Sequence, residues 1–414
     1  MSALQDYVRH VRAFSPNARR FLFATSLWSL GLALLGVTRN LYFKEAGLNE
    51  SEIGNILAAG QLGSVFCTIP AAMLLDRWRM KPLLLVSVLV AVAGSFGQAL
   101  LPGRLAISAA SFVGGAGGAI FGVASAPFFS RNSTTAERGH LFGVSVGCSA
   151  LAGTLGTLAV RALEPFLGED MRALRIMMVI GAAGALLAFA PLLFITEGAP
   201  DGRRRRFRDF LMARDWKTLG KLCGPDALIG CGAGLTIPFI NLYFQGRFST
   251  SPGTIALYFA ASSAMNMIGF FLAPALAQRW GRVGLIAATQ LLSIPFFAAL
   301  AFSPWLTVSI AAFLLRSLLM NMASPIGSAF AMDMTADDQQ AVTNSVKQLS
   351  WNLAWTFSSS AGGWMIHNVT VGRDGYTLPM LVTIGLYLCG SVLFLLFWAR
   401  KPRPDRISSP AKGD

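Results

Sequence analysis

Three cations stand inside long apolar stretches of the chain: Arg39, Arg316 and Lys347. A charge in hydrocarbon is costly, so such a side chain faces water, a partner or a ligand. Arg316 sits near the middle of its stretch, where snorkelling to an interface is hardest. Arg39 and Lys347 lie closer to the ends of theirs and could reach one. A planar guanidinium grips carboxylate or phosphate through two donors at once. Arg316, with Lys347, therefore reads as the counter-charge of a small organic anion. The alternative for Arg316 is structural, held by backbone carbonyls and Asn321. Acids able to neutralise these bases are missing from the middles of the stretches: Asp226 stands near the start of one, and Asp76 and Asp333 at the ends of others.

Polar residues accompany the cations at helical spacing. Asn344, Lys347, Gln348, Trp351, Asn352 and Trp355 recur every three or four positions and share one broad helix face. Tyr258, Ser262 and Asn266 follow the same rule, as do Gln61, Ser64 and Thr68. These stripes line a wet pathway or, taken singly, join helices to one another. Enzyme chemistry finds no support. There is no HExxH, no P-loop lysine and no nucleophile elbow, and the histidines (His10, His140, His367) fall in loops or at helix ends. The five cysteines have no CxxC spacing and read as buried thiols, so neither a metal nor a cofactor is expected. The cluster Gly114-Gly115-Ala116-Gly117-Gly118 follows no strand; it suits close helix packing or a widened cavity better than phosphate binding.

The elements that must position these residues are membrane helices. Hydrophobic residues make up 54% and charged ones 13% of the 414, against about 25% charged in soluble domains. Twelve apolar segments are long enough to cross a bilayer, over about 20–44, 52–75, 82–101, 105–130, 140–163, 173–196, 222–246, 253–278, 283–302, 304–331, 340–367 and 376–399. The first is too long for a signal peptide and reads as a retained span. Residues 197–221 form a basic linker, with Arg203 to Arg206 at its heart, between six-helix halves at 1–196 and 222–400; a tail follows at 401–414. The net charge of +14 is concentrated in alternate connections. That pattern marks the cytoplasmic side of an inner membrane, places both termini there, and leaves no case for nucleic acid.

The chain repeats itself. Asn40-Leu41-Tyr42-Phe43 returns as Asn241-Leu242-Tyr243-Phe244; Arg77-Trp78 returns as Arg279-Trp280, 35 residues after the first tyrosine and 36 after the second. Ala126-Pro127 and Thr135-Ala136-Glu137 return as Ser324-Pro325 and Thr335-Ala336-Asp337. Two related halves place function where they meet. Halves that rock need contacts made in one state and broken in the other, and charged rim loops can supply them. Asp76, Arg77, Arg79 and Lys81, with Arg279 and Arg282 in the second half, are candidates for such gating; the alternative is that the bases only set topology.

With twelve spans in six-plus-six order, the chain resembles the major facilitator superfamily of secondary transporters. The loop Asp76-Arg77-Trp78-Arg79-Met80-Lys81 is similar to that family's signature between helices 2 and 3, with Ala72 and Arg79 where the signature has glycines. The glycines of span 5 (Gly143, Gly147, Gly153, Gly156) are similar to those of exporters, without the Gly-Pro pair. The resemblance implies an all-α fold of two pseudo-symmetric bundles and alternating access. It implies a cavity lined by helices 1, 4, 7 and 10, hence contacts from Asn40, Tyr42, Asn241, Tyr243 and Arg316. The expected protein is a monomeric, multi-pass transporter of a small molecule, with an organic anion favoured. The alternatives are a lipophilic drug or metabolite exporter, and a membrane receptor that has lost transport. The carboxylate by which such folds commonly couple to protons is missing near the midplane, so exchange or facilitated movement is expected, or at most proton coupling by the peripheral Asp226.

Overall fold

A computed structural model describes residues 14–75, 78–196, 215–335 and 339–399. Among the described residues, twelve helical spans run up and down between two ends. We call the end with the 75–80 and 131–135 connections basal and the opposite end apical. The first half holds α1 (Pro16–Glu45), α2 (Glu50–Leu75), α3 (Met80–Leu100), α4 (Arg104–Arg131), α5 (Thr135–Leu167) and α6 (Met171–Leu193, interrupted after Leu186). The second holds α7 (Trp216–Phe248), α8 (Pro252–Trp280), α9 (Arg282–Phe302), α10 (Leu306–Asp333), α11 (Gln340–Asn368) and α12 (Thr377–Trp398). All but α11 are long and apolar enough, among the described residues, to cross a membrane. The exception carries the asparagine, glutamine and tryptophan stripe.

The helices outrun the apolar segments where caps allow. Thr134 and Glu137 form a capping box that starts α5 at Thr135, earlier than the apolar pattern does. Asp215 accepts from the Thr218 N–H and starts α7 at Trp216, inside the segment read as linker. Hydropathy misses such first turns because they are polar. Of the linker, 197–214 lie outside the described residues, as do Asp76, Arg77 and the tail.

Proline bends two spans. In α7 a single 3₁₀ turn, Ile237–Phe239, divides two α-helical pieces around Pro238. In α10 the break falls at Ala323, just before Ser324-Pro325. Small residues let the first half close tightly. A Cβ on Gly115 would overlap the Gly60 carbonyl of α2, and one on Gly117 would overlap the Ala91 backbone of α3. The halves pack on each other through α2 against α11 and α5 against α8.

Candidate functional site

A cavity of about 970 Å³ lies between the halves, at the upper end of the roughly 300–1,000 Å³ typical of small-molecule sites. Its wall is built from one face of each contributing helix. Trp28, Leu32, Gly36 and Arg39 succeed one another at three- and four-residue steps on α1, and Asn40 lies four residues after Gly36. Gln61, Ser64 and Thr68 do the same on α2, and Ala91, Ser95 and Gln98 on α3. From α4 come Gly114, Gly115, Gly118 and Gly122 together with small side chains such as Ser111 and Ala119. The second half supplies Pro238 and Asn241 from α7, Phe259 from α8, and Asn344, Gln348, Asn352 and Trp355 from α11. The cavity runs down to the basal ends of α2, α4 and α11, at Ala72, Pro127 and Asn344.

The apical end is closed by contacts between the halves. The Asn40 amide donates to the Pro238 carbonyl at 2.6 Å, and the Asn241 amide to the Val37 carbonyl at 3.0 Å. Glu164, 6% exposed and paired with Arg161 at 2.5 Å, accepts the Gly253 N–H at 2.8 Å. A carboxylate thus meets the first turn of α8, where free N–H groups and the helix dipole favour negative charge. Gln245 donates to Glu45 and Ser360 to Asn55. Buried Glu50 lies 2.5 Å from Lys44 and 3.8 Å from His367. Tyr376, in the connection before α12, is half-buried near Glu50 and Asp374; desolvation first, then those charges, raise its phenol pKa and keep it neutral.

The charged candidates separate. Arg316, expected at the centre of a binding site, is not in the cavity wall. It is 6% exposed and turned into its own bundle, where Nη2 donates to the Tyr387 hydroxyl at 2.7 Å. Its guanidinium lies 4.8 Å from the Phe297 ring centroid and 5.9 Å from that of Tyr387. Asn321, the partner considered for it, bonds Ser317 and Asn266 instead. Lys347 also departs from expectation. Its ammonium is 2.8 Å from Asp226 on α7, an acid that looks peripheral only if α7 starts at residue 222 rather than Trp216. Arg39 is the one charged residue of the cavity wall among the described residues. Its Nε is buried without a hydrogen-bond partner, and no carboxylate pairs with it among the described residues.

Other candidates divide the same way. Asn40, Asn241, Asn344, Gln348 and Trp355 line the cavity. Tyr42 and Tyr243 do not: both are buried, with hydroxyls donating to the carbonyls of Ala99 and Leu300. Trp351 packs against Trp355 and covers Gly230 of α7. At the basal rim, Arg282 pairs with Asp333 and Lys81 donates to the Leu193 carbonyl, each within its own half. Arg79 sits at the N-cap of α3, and Arg279 is exposed. Asp76 and Arg77 lie outside the described residues.

Sequence reasoning missed Gln98, Ser95 and Trp28, which line the cavity, and the apical pair Arg247–Asp374 at 3.4 Å. Gln98 three positions after Ser95 in an apolar span was the available signal.

Comparison with known proteins agrees with the helical layout. The family model described as Major Facilitator Superfamily matches residues 21–225 and again 226–413. An uncharacterised MFS-type transporter of Bacillus subtilis, YqjV, is 25% identical over 179 residues. That match spans 43% of this chain and 41% of the relative. Among solved structures, the nucleoside transporter NupG superposes with a TM-score of 0.77 at 13% identity, over 93% of this chain and 99% of that one. A bacterial homologue of the lysosomal transporter Spinster, inward-facing and occupied, gives 0.76 at 17% identity over 96% and 100%. A D-xylose–proton symporter gives 0.71 at 15% identity over 96% and 98%. At such identities the likeness is one of fold.

Proposed function

Since the chain belongs to the Major Facilitator Superfamily, a family of small-molecule membrane transporters, we propose that its substrate is a small organic anion held at Arg39. One observation carries this reading. Among the described residues, the wall of the central cavity contains one cation and neither aspartate nor glutamate. A guanidinium facing a cavity of low dielectric attracts an anion strongly and disfavours a cation. The surrounding amides and hydroxyls supply hydrogen bonds, while Trp28, Phe259 and Trp355 supply apolar contact.

Lysine and arginine in the basal connections make that end cytoplasmic under the positive-inside rule, with both termini on the same side and the halves dividing within 197–221. The contacts named between the halves lie at the apical end, so this conformation receives substrate from the cytoplasmic side. Transport then requires those apical contacts to break and the basal ends to meet. In that second state Asp76, Arg77, Arg79, Lys81, Arg279 and Arg282 are placed to gate.

The test is a thermal-shift screen of the purified protein with small carboxylates and their neutral amides. Binding raises apparent stability by mass action. Carboxylates should stabilise the protein where their amides do not, and Arg39→Gln should abolish the difference. Equal stabilisation by neutral lipophilic compounds, unaffected by Arg39→Gln, would favour a lipophilic substrate instead.

A further inference from the structure

Beside the central cavity, at its apical dead end, lies a smaller recess of about 260 Å³ between α1, α3 and α6. Leu32, Leu35, Gly36 and Arg39 line it from one face of α1, and Ser95 and Gln98 from one face of α3. Met178 of α6 closes the back. Five of these seven residues also line the central cavity, so the recess is a side arm of it.

Polar atoms around this arm are buried and unpaired. Arg39 Nε is a donor with no acceptor, and Gln98 Oε1 is an acceptor with no donor. Gln98 is 5% exposed, and its amide nitrogen contacts the Gly94 carbonyl at 3.4 Å, which leaves the oxygen for something else. Asn40, 3% exposed, spends its nitrogen on Pro238 and likewise leaves Oδ1 unpaired in the adjoining wall. Buried polar groups are costly unless they are satisfied. A molecule satisfying this set brings an acceptor to Arg39 and a donor to Gln98.

The donor's charge follows from the same surroundings. A cation is present, and among the described residues no carboxylate lines either space. An ammonium donor beside Arg39 would be repelled, whereas a hydroxyl would not. We infer that the side arm selects a hydroxylated carboxylate, with the carboxylate on Arg39, the hydroxyl donating to Gln98 Oε1, and the carbon skeleton against Leu32, Leu35 and Met178. This rests on the anion reading above and adds to it a requirement for a neutral donor close to the carboxylate.

Matched probes test it: propanoate with 2-hydroxypropanoate, butanedioate with 2-hydroxybutanedioate, and phenylacetate with 2-hydroxy-2-phenylacetate. Affinities are measured by titration calorimetry on the full-length protein in nanodiscs. In at least one pair the hydroxy acid should bind about tenfold more tightly, the scale of one hydrogen bond to a buried group. Gln98→Leu should bring that ratio close to one. Gln98→Glu, nearly the same shape, should pair with Arg39 and weaken every carboxylate; it serves if the leucine variant fails to fold. Plain carboxylates binding as well as their hydroxylated partners would overturn the inference and leave the anion reading standing. The 2-amino acids binding more tightly than the hydroxy acids would overturn it too. Binding by none of the carboxylates would remove both.

Discussion

Asn40 and Asn241 clasp each other's helix: each donates its side-chain amide to a backbone carbonyl three residues before the other, at Pro238 and Val37. The two bonds are copies, since 40 to 241 and 37 to 238 are both steps of 201. The tyrosines obey the same step: Tyr42 to Ala99 and Tyr243 to Leu300 are each 57 residues apart. The sequence repeat is therefore a pseudo-twofold axis passing close to the asparagine clasp. Each half contributes one bond to the apical closure, and the clasp stands at the blind end of the central cavity.

Breaking the clasp should release the apical end. Each amide-to-carbonyl bond contributes about 1 kcal/mol, so Asn40→Ala with Asn241→Ala shifts the balance between the two states by about 2 kcal/mol. Spin labels at Phe166 and Leu257, both exposed and on opposite halves, should report longer apical distances in the double variant. Unchanged distances would show that Glu164 and its neighbours close this end without the asparagines.

Arg316 should prove structural. Its partners are Tyr387 and Phe297 rather than the cavity. A charged hydrogen bond and a desolvated cation–π contact together make Arg316→Gln destabilising by about 2–4 kcal/mol. Affinity for whatever anion binds wild type should change less than about threefold (under 1 kcal/mol). A variant with normal melting and lost binding would return Arg316 to the substrate site.

The Lys347–Asp226 pair should behave as a unit. Both groups are partly exposed, at 20% and 34% of the side chain, so the coupling is about 1–2 kcal/mol rather than the larger value of a fully buried pair. In a double-mutant cycle, Asp226→Asn with Lys347→Gln should cost less than the sum of the single changes. With Asp226 held by a lysine, an imposed proton gradient should drive no uphill uptake into proteoliposomes. Gradient-driven uptake that survives Asp226→Asn would place coupling on another group.

The glycines of α4 should divide by the face they occupy. Gly115→Ala and Gly117→Ala meet backbone of α2 and α3, and overpacking of that kind costs about 1–3 kcal/mol. Gly118→Ala and Gly122→Ala point into open space at the cavity wall. These should melt like wild type while weakening binding, because the added methyls take room from the ligand. Thermal melts of the four variants, with and without ligand, check the division.

The membrane class, the number of spans, the duplication and the basic connections are all legible in the chain's residue order. Each is encoded locally, in runs of apolar residues and in short repeated words such as Asn-Leu-Tyr-Phe. It also placed Asn344, Gln348 and Trp355 on one face of α11, because side-chain positions along a helix follow from its period. Which way each face turns depends on how the helices pack. In a membrane bundle a polar side chain can face either a cavity or a polar partner in its own half, so the periodicity of α10 does not say whether Arg316 meets the cavity or Tyr387. Pairing was hidden for a related reason: Asp226 and Lys347 are 121 residues apart, and their meeting depends on where α7 begins and how it lies on α11. The cation in the cavity is therefore Arg39, which sequence position alone left free to snorkel; α1 and α3 enclose it, away from the interface it could otherwise have reached.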